Sequence, residues 1–504
     1  MLATAWGAAV VGVRAHLVRV EADTAAGFPR FSLLGLPDSS VRESKDRLHA
    51  ALRNCGYSFK WDRRLTVNLS PAGMPKLGPG FDMAIAAALL AADGELPTGP
   101  LASVLLVGEL ALDGGLRAVR GVLPMLLAAR EAGLSDAIVP RENACEARLF
   151  SGLRVHAVEI LTQALAIAAS GNRTVPREDP PVVTLAGPAP EPTPDLAEVR
   201  GQPLARRALE IAAAGGHNLL MTGPPGAGKT MLARRLPTLL PPLRPDEALE
   251  TAAIHSAAGA SVQRLIVSRP FRAPHHTISD AALIGGGPSP RPGEVSLAHH
   301  GVLFLDELPE FRRNVLEALR QPLEDRIVTV ARGRGVLELP ARFQLVAAMN
   351  PCPCGFLGDA RRPCRCTPGQ VRSYRSRISG PLLDRLDLRV TVSALPFADL
   401  SGPTGEPSEA VASRAVAART RQYQRQGRPN AELGPGSLRR HAALDAEGLA
   451  LLAAVVDRLG VTGRGHDRLL RVARTIADLK GCRSVEGAHL AEASQFRHFS
   501  PPDE

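Results

Sequence analysis

Residues 223 to 230 read Gly223-Pro224-Pro225-Gly226-Ala227-Gly228-Lys229-Thr230, a complete GxxxxGK[ST] string between the apolar run Leu219-Leu220-Met221 and the helix-like Met231 to Leu236. The glycines let successive backbone N–H groups turn inward on a polyphosphate, Lys229 supplies a point charge to the outer phosphates, and the Thr230 hydroxyl is placed to ligate Mg²⁺. A helix starting here aims its positive end at the same anion. With 47 glycines in the chain the string alone is weak, so the flanking strand and helix carry the reading: an α/β fold that binds a nucleotide, ATP with Mg²⁺.

About 75 residues further on, Gly301-Val302-Leu303-Phe304-Leu305 is an apolar strand ending in the adjacent carboxylates Asp306 and Glu307. This is the form of a Walker B element, in which Asp306 orients Mg²⁺ through its water shell and Glu307 polarises the attacking water. A third apolar strand, Leu345 to Met349, ends in Asn350, a neutral amide suited to bond both a γ-phosphate and that water. In register behind the Walker elements, Asn350 resembles the sensor-1 residue of AAA+ ATPases. Val199-Arg200-Gly201-Gln202 resembles the box that opens AAA+ modules near the adenine. Ser379-Gly380-Pro381-Leu382-Leu383-Asp384-Arg385-Leu386-Asp387 resembles the arginine-finger segment of helix-insert AAA+ proteins such as magnesium chelatases and MCM-type helicases. That resemblance implies a homo-oligomeric ring, a hexamer, in which Arg385 stabilises charge on the phosphoryl group in the neighbouring subunit's site. The alternative is a surface ion pair of Arg385 with Asp384 or Asp387. Arg464, in Thr462-Gly463-Arg464-Gly465, stands where the lid's sensor-2 arginine is expected.

At 504 residues the chain exceeds one ordinary core. Residues 1–170 alternate strand-like runs (Leu17 to Val20, Leu65 to Asn68, Val104 to Gly108, Ala137 to Val139) with alanine-rich helices at Asp82 to Ala92 and Val122 to Ala132, and read as an α/β domain. Residues 171–195 are Pro-rich, an extended linker. Residues 196–400 follow the doubly wound parallel pattern of an AAA+ core, 401–440 are polar and Gly/Pro-rich like a second linker, and 441–504 show the helical periodicity of a small lid. The net charge of +10 suits a polyanionic partner, though its arginines are spread along the chain, and 4% aromatics argue against a base-stacking platform. No apolar run reaches membrane-spanning length free of charge, and the start of the chain lacks a basic n-region, so a cytoplasmic location is expected and no membrane partner. Seven cysteines in so long a chain do not make a disulfide framework.

Longer strings narrow the family: Ala273-Pro274-His275-His276-Thr277-Ile278-Ser279, Pro292-Gly293-Glu294-Val295-Ser296-Leu297-Ala298-His299, Asp306 to Phe311, Asn350-Pro351-Cys352-Pro353-Cys354-Gly355 and Val472 to Leu479. Together they resemble the YifB/ComM family of magnesium-chelatase-like ATPases along essentially the whole chain. The resemblance implies a hexameric ATPase promoting DNA branch migration, with a helix-2 insert in its AAA+ core. The N-terminal segment is similar to the Lon proteolytic domain, of ribosomal-S5-like fold, without its dyad. Gly80, in Pro75-Lys76-Leu77-Gly78-Pro79-Gly80, occupies the serine's position, and Met125, before Leu126-Leu127-Ala128-Ala129, that of the lysine. Peptide hydrolysis then has neither nucleophile nor base, and the domain reads as a scaffold or DNA-facing collar.

Cys352-Pro353-Cys354 and Cys364-Arg365-Cys366 form a CxC, nine-residue gap, CxC arrangement. Four thiolates so paired in a Cys-poor chain point to a tetrahedral Zn²⁺ site, against four reduced thiols on a loop. Arg361, Arg362, Arg365, Arg372, Arg375 and Arg377 surround it, a basic loop suited to a phosphate backbone. Ile327 to Val330 and Val336 to Leu339 read as a β-hairpin with Arg332 and Arg334 at its tip, resembling the pre-sensor-1 hairpin and a candidate DNA grip. Phe271 to Gly287 lies between the Walker elements, where the resembling helix-insert AAA+ proteins place a pore-directed loop; adjacent histidines on extended chain point apart, so His275 and His276 read as polar loop residues. The sequence thus favours an ATPase motor acting on branched or single-stranded DNA. A chelatase-type ATPase remodelling a protein partner is the alternative.

Overall fold

The computed structural model describes residues 1–170, 194–260, 262, 268–287, 291–332, 335–359, 361–396, 399, 401–459 and 462–497. Residues 171–193, nearly all of the expected Pro-rich linker, lie outside them.

The N-terminal part is built on a seven-stranded mixed sheet in the order Arg30–Leu34, Arg64–Ser70, Arg14–Ala25, Leu2–Val11, Val104–Leu106, Asp136–Pro140, Arg154–Val158. Leu2–Val11 pairs antiparallel with Arg14–Ala25, which pairs antiparallel with Arg64–Ser70. Helix Asp82–Asp93 is buried from Asp82 to Ala92, because its alanines let the backbone approach the sheet closely. The Asp82 carboxylate is neutralised by Arg47 Nε at 2.7 Å.

The second part carries a five-stranded, all-parallel sheet ordered Phe271–Arg272, Val302–Leu305, Gln344–Met349, Leu219–Thr222, Leu388–Thr391. Helices cover both faces, so Val302–Leu305 and Gln344–Met349 are buried throughout and read as unbroken apolar runs. Thr222, Leu305, Met349 and Thr391 end at the same edge, where ligands bind in open parallel sheets.

Helices Ala446–Leu459, Gly463–Leu479 and Gly487–Gln495 close over one flank of this sheet. Residues 401–440 depart from the expected linker. They include the 19-residue helix Ser408–Gln426 and the short helix Pro435–His441. The apolar stripe of the long helix is only Val411, Ala415 and Ala418, completed by the buried amide of Gln422, inside an arginine-rich segment. It is too small for bulk hydrophobicity to register, yet alanines suit close packing in the shared core with helix Pro203–Gly215.

The two sheets are joined through helix Pro245–Ala258. Its Ala252 and Ala253 share a core with Val122, Leu123, Met125 and Leu126, and Ser256 Oγ donates to Glu146. Met125, at the position expected for a catalytic lysine, is thus a packing residue of this junction. A second junction forms at Gly12, where a Cβ would lie 2.9 Å from side-chain atoms of Leu337 and Leu339.

Candidate nucleotide site

Strand Leu219–Thr222 runs into the glycine loop, which reverses through Gly226 and Gly228 at φ +76° and +91°. At Gly223 a Cβ would stand 2.0 Å from the Val392 carbonyl oxygen, so only glycine lets the loop leave the sheet here. Helix Lys229–Leu239 starts directly from the loop.

Lys229 is buried, and its Nζ donates to the carbonyls of Gly223 (2.7 Å) and Pro224 (3.0 Å) and to Asn350 Oδ1 (3.1 Å). Burial lowers its pKa, with Asp306 and Glu307 acting in the opposite sense. All three acceptors are neutral, and a polyphosphate would offer the ammonium stronger, charge-assisted bonds. The Thr230 hydroxyl donates to Asp306 Oδ2 at 2.6 Å. A hydroxyl and a carboxylate side by side are the hard oxygen donors that Mg²⁺ prefers. The residues present therefore fit ATP with Mg²⁺.

Glu307 adopts a left-handed backbone conformation, φ +52°. Its N–H donates to Asp306 Oδ1 at 2.9 Å, and its half-exposed carboxylate lies 3.5 Å from His276 Nδ1. His275 and His276 do not diverge as expected. Their segment is a turn rather than a strand, the rings are 4.1 Å apart, and His276 meets the edge of Phe311. The His276–Glu307 contact has no signature in the sequence, because only the folded loop creates it.

The four cysteines converge. Cys352 and Cys354 sulfurs are 3.4 Å apart, each lies 3.6 Å from Cys364 Sγ, and all four fall within 4.8 Å of one another. Tetrahedral Zn–S bonds of about 2.3 Å imply S–S edges of roughly 3.8 Å. Backbone N–H groups of Arg365 and Phe356 bring the Cys354 thiol down to about 6. This donor set fits Zn²⁺. The loop also backs directly onto the nucleotide site: Gly355, at φ +86°, is so close to Pro225 that a Cβ would lie 2.6 Å from its Cδ. Helix Pro368–Arg375, opened by a Thr367–Gln370 capping box, continues from the loop. Around the cluster Arg361, Arg362, Arg365 and Arg372 are exposed, with Arg361 donating to the Leu395 carbonyl and Arg362 stacked 5.3 Å from the Phe356 ring.

The remaining expected residues stand apart from this cluster. Arg385 pairs with Glu324 instead of Asp384 or Asp387, and donates to Pro381 O at 2.7 Å. Asp387 instead faces His217 and Arg468. Arg464 is exposed in the first turn of Gly463–Leu479. Strands Ile327–Arg332 and Gly335–Pro340 form the hairpin in a register pairing Arg332 with Gly335, and the tip, with Arg334, lies outside the described residues.

Three stretches match family models: residues 195–400 match magnesium chelatase subunit ChlI, 20–143 match subunit ChlI of Mg-chelatase, and 405–497 match the ChlI C-terminal part. YifB of Salmonella typhimurium is 44% identical over 493 residues, 97% of this chain and 96% of the relative. Competence protein ComM of Haemophilus influenzae is 43% identical over 503 residues, 98% and 97% of the two chains. Lon protease of Salinispora arenicola is 30% identical over 175 residues, 32% of this chain and 22% of the protease. Among the described residues no helix is long and apolar enough to cross a membrane.

Proposed function

Because the chain belongs to the YifB/ComM family of magnesium-chelatase-like AAA+ ATPases, we propose that it is a hexameric ring motor. It hydrolyses ATP to remodel branched or single-stranded DNA, in the manner of a branch-migration helicase during recombination or natural transformation. In this reading Lys229 holds the β- and γ-phosphates, Thr230 and Asp306 hold Mg²⁺, Glu307 orients the attacking water, and Asn350 fixes that water against the γ-phosphate. Bound Mg²⁺ neutralises charge on the phosphates. Arg385 leaves Glu324 to serve the next subunit's site, and Arg464 contributes from the lid. Cys352, Cys354, Cys364 and Cys366 hold Zn²⁺. The Lon-like domain, with Gly80 and Met125 at its dyad positions, acts as a collar and not as a protease.

The contact of Gly355 with Pro225 carries the coupling. It ties the arginine-bearing cysteine loop to the phosphate loop, so a displacement by DNA on one side reaches the nucleotide on the other. Arg332 and Arg334 of the hairpin, with Arg361 and Arg362, are the DNA contacts in this scheme. The ComM relationship and the excess of basic charge support DNA, whereas the chelatase-type reading rests on the ChlI matches.

The test is ATPase turnover across branched, single-stranded and duplex DNA and, in parallel, tetrapyrrole-pathway proteins. Stimulation by branched or single-stranded DNA that disappears in Lys229→Ala is expected. Turnover indifferent to every DNA, with no DNA binding, sinks the motor; stimulation by the proteins alone selects the chelatase-type reading. Near-zero zinc in purified, untagged protein disposes of the metal.

A further inference from the structure

The strands bearing Asp306 and Asn350 begin, at the opposite edge of the sheet, beside a small cavity lined by Arg269, Arg326, Arg342 and Arg419. Only two carboxylates line it with them, Glu247 and Glu432, leaving an excess of two positive charges. Arg269 is committed to the carbonyls of Pro241 (2.7 Å) and His300 (2.7 Å) and to Glu247 (3.2 Å). Arg342 makes a two-pronged bond to Glu432, at 3.2 and 2.7 Å. Arg419 donates Nε and Nη2 to the carbonyls of Ala214 and Ala213, and Arg326 gives Nη1 to the Phe343 carbonyl at 3.3 Å. Neither Arg326 nor Arg419 has a carboxylate partner among the described residues.

Two further features mark the place. Of the five non-glycine residues with positive φ among the described residues, His300 (+58°) and Arg326 (+62°) both line this cavity, and such strained backbone concentrates at functional sites. The cavity wall at Gly216 holds φ +75°, which strains any side chain there, although a Cβ would meet the Arg419 guanidinium nitrogens only at ordinary contact distances of 3.6 and 3.7 Å. Burial first, and repulsion by Arg269 second, pulls Arg419 down to about 10.

A cation is the wrong occupant. Glu250, His299 and His300 gather nearby as a metal site would. However, His299 Nδ1 accepts the Arg342 N–H at 3.0 Å, which puts the ring proton on Nε2, facing Glu250. That nitrogen has no lone pair to offer an ion.

We propose that the arginine cavity is a second anion site, distinct from the phosphate loop, which takes a phosphate-class oxyanion: free phosphate or the phosphate of a small nucleotide. Guanidiniums converging without enough carboxylates are matched by an oxyanion that accepts several N–H bonds at once. His300 and Phe343 lead into the strands carrying Asp306 and Asn350, so an occupant here bears on the far ends of those strands.

Full-length Lys229→Ala protein, with the phosphate loop disabled, is titrated calorimetrically in chloride buffer with inorganic phosphate and separately with AMP. Saturable one-site binding of at least one is expected, weakened tenfold or more by Arg326→Gln and by Arg342→Gln. Glu432→Gln, which removes a competing carboxylate, should tighten binding several-fold, a change of sign that a merely damaged fold does not produce. Binding of phosphate alone assigns free phosphate, and binding of AMP alone the nucleotide. No saturable heat from either, or binding unaffected by Arg326→Gln and Arg342→Gln, overturns the proposal. The result does not depend on whether DNA stimulates the ATPase.

Discussion

Gly355→Ala puts one methyl group between the cysteine loop and the phosphate loop. At φ +86° an L-residue is strained by about 1–2 kcal/mol. The new Cβ would stand 2.6 and 2.8 Å from Pro225 Cδ and Cγ. Comfortable carbon contacts are about 3.5–4.0 Å, so one loop must retreat by roughly 1 Å. Overpacking of this kind costs about 1–3 kcal/mol. The total, about 2–5 kcal/mol, is divided between the two loops, and each 1.4 kcal/mol falling on the phosphate loop weakens ATP about tenfold. Binding of a fluorescent ATP analogue should weaken at least tenfold, or zinc content and Tm should fall if the cysteine loop yields instead. Gly369→Ala is the control. It lies beyond the same loop, its Cβ would meet only Thr367 Oγ1 at 3.9 Å, and it should behave as wild type. Nucleotide affinity, zinc and Tm all unchanged in Gly355→Ala would mean that the two loops do not press on each other.

Glu307→Gln should keep ATP binding while turnover falls by about 10²-fold or more, since only water activation is lost; turnover within threefold of wild type excludes Glu307 from that role. Arg385→Ala and Lys229→Ala proteins should each be inactive alone and regain measurable ATPase when mixed, because a mixed ring pairs an intact loop with an intact finger; no recovery in verified mixed rings removes Arg385 from the neighbour's site. Burial lowers the pKa of His255 and His299 below the usual 6.5. The unfolded chain therefore binds more protons below that pH, so their contribution is complete above about pH 6.5 and declines as pH falls. Tm should drop between pH 7.5 and 5.5, and less so in His255→Gln; a Tm that rises on acidification contradicts the assignment.

Much of this was legible in the sequence because it is local. The phosphate loop, the carboxylates closing an apolar strand, and the hairpin each declare themselves within one short stretch of chain. The CxC pairs likewise brought four thiols to within 4.8 Å. Helix Ser408–Gln426 was not legible, since its signal is a few small side chains that matter only once helix Pro203–Gly215 lies against them. The arginine cavity was equally invisible: Arg269, Arg326, Arg342 and Arg419 are up to 150 positions apart and share no motif.

By itself, then, the sequence determined the chemistry available: a lysine, a hydroxyl, two acids and an amide in phosphate-loop order. Tertiary structure decided their relations. Parallel pairing of Leu219–Thr222 with Gln344–Met349 brings Asn350 to Lys229 across 121 positions, and the folded loop sets His276 beside Glu307. Side-chain type is written one residue at a time, whereas distance between strands is set by sheet register and by the few glycines that let loops touch.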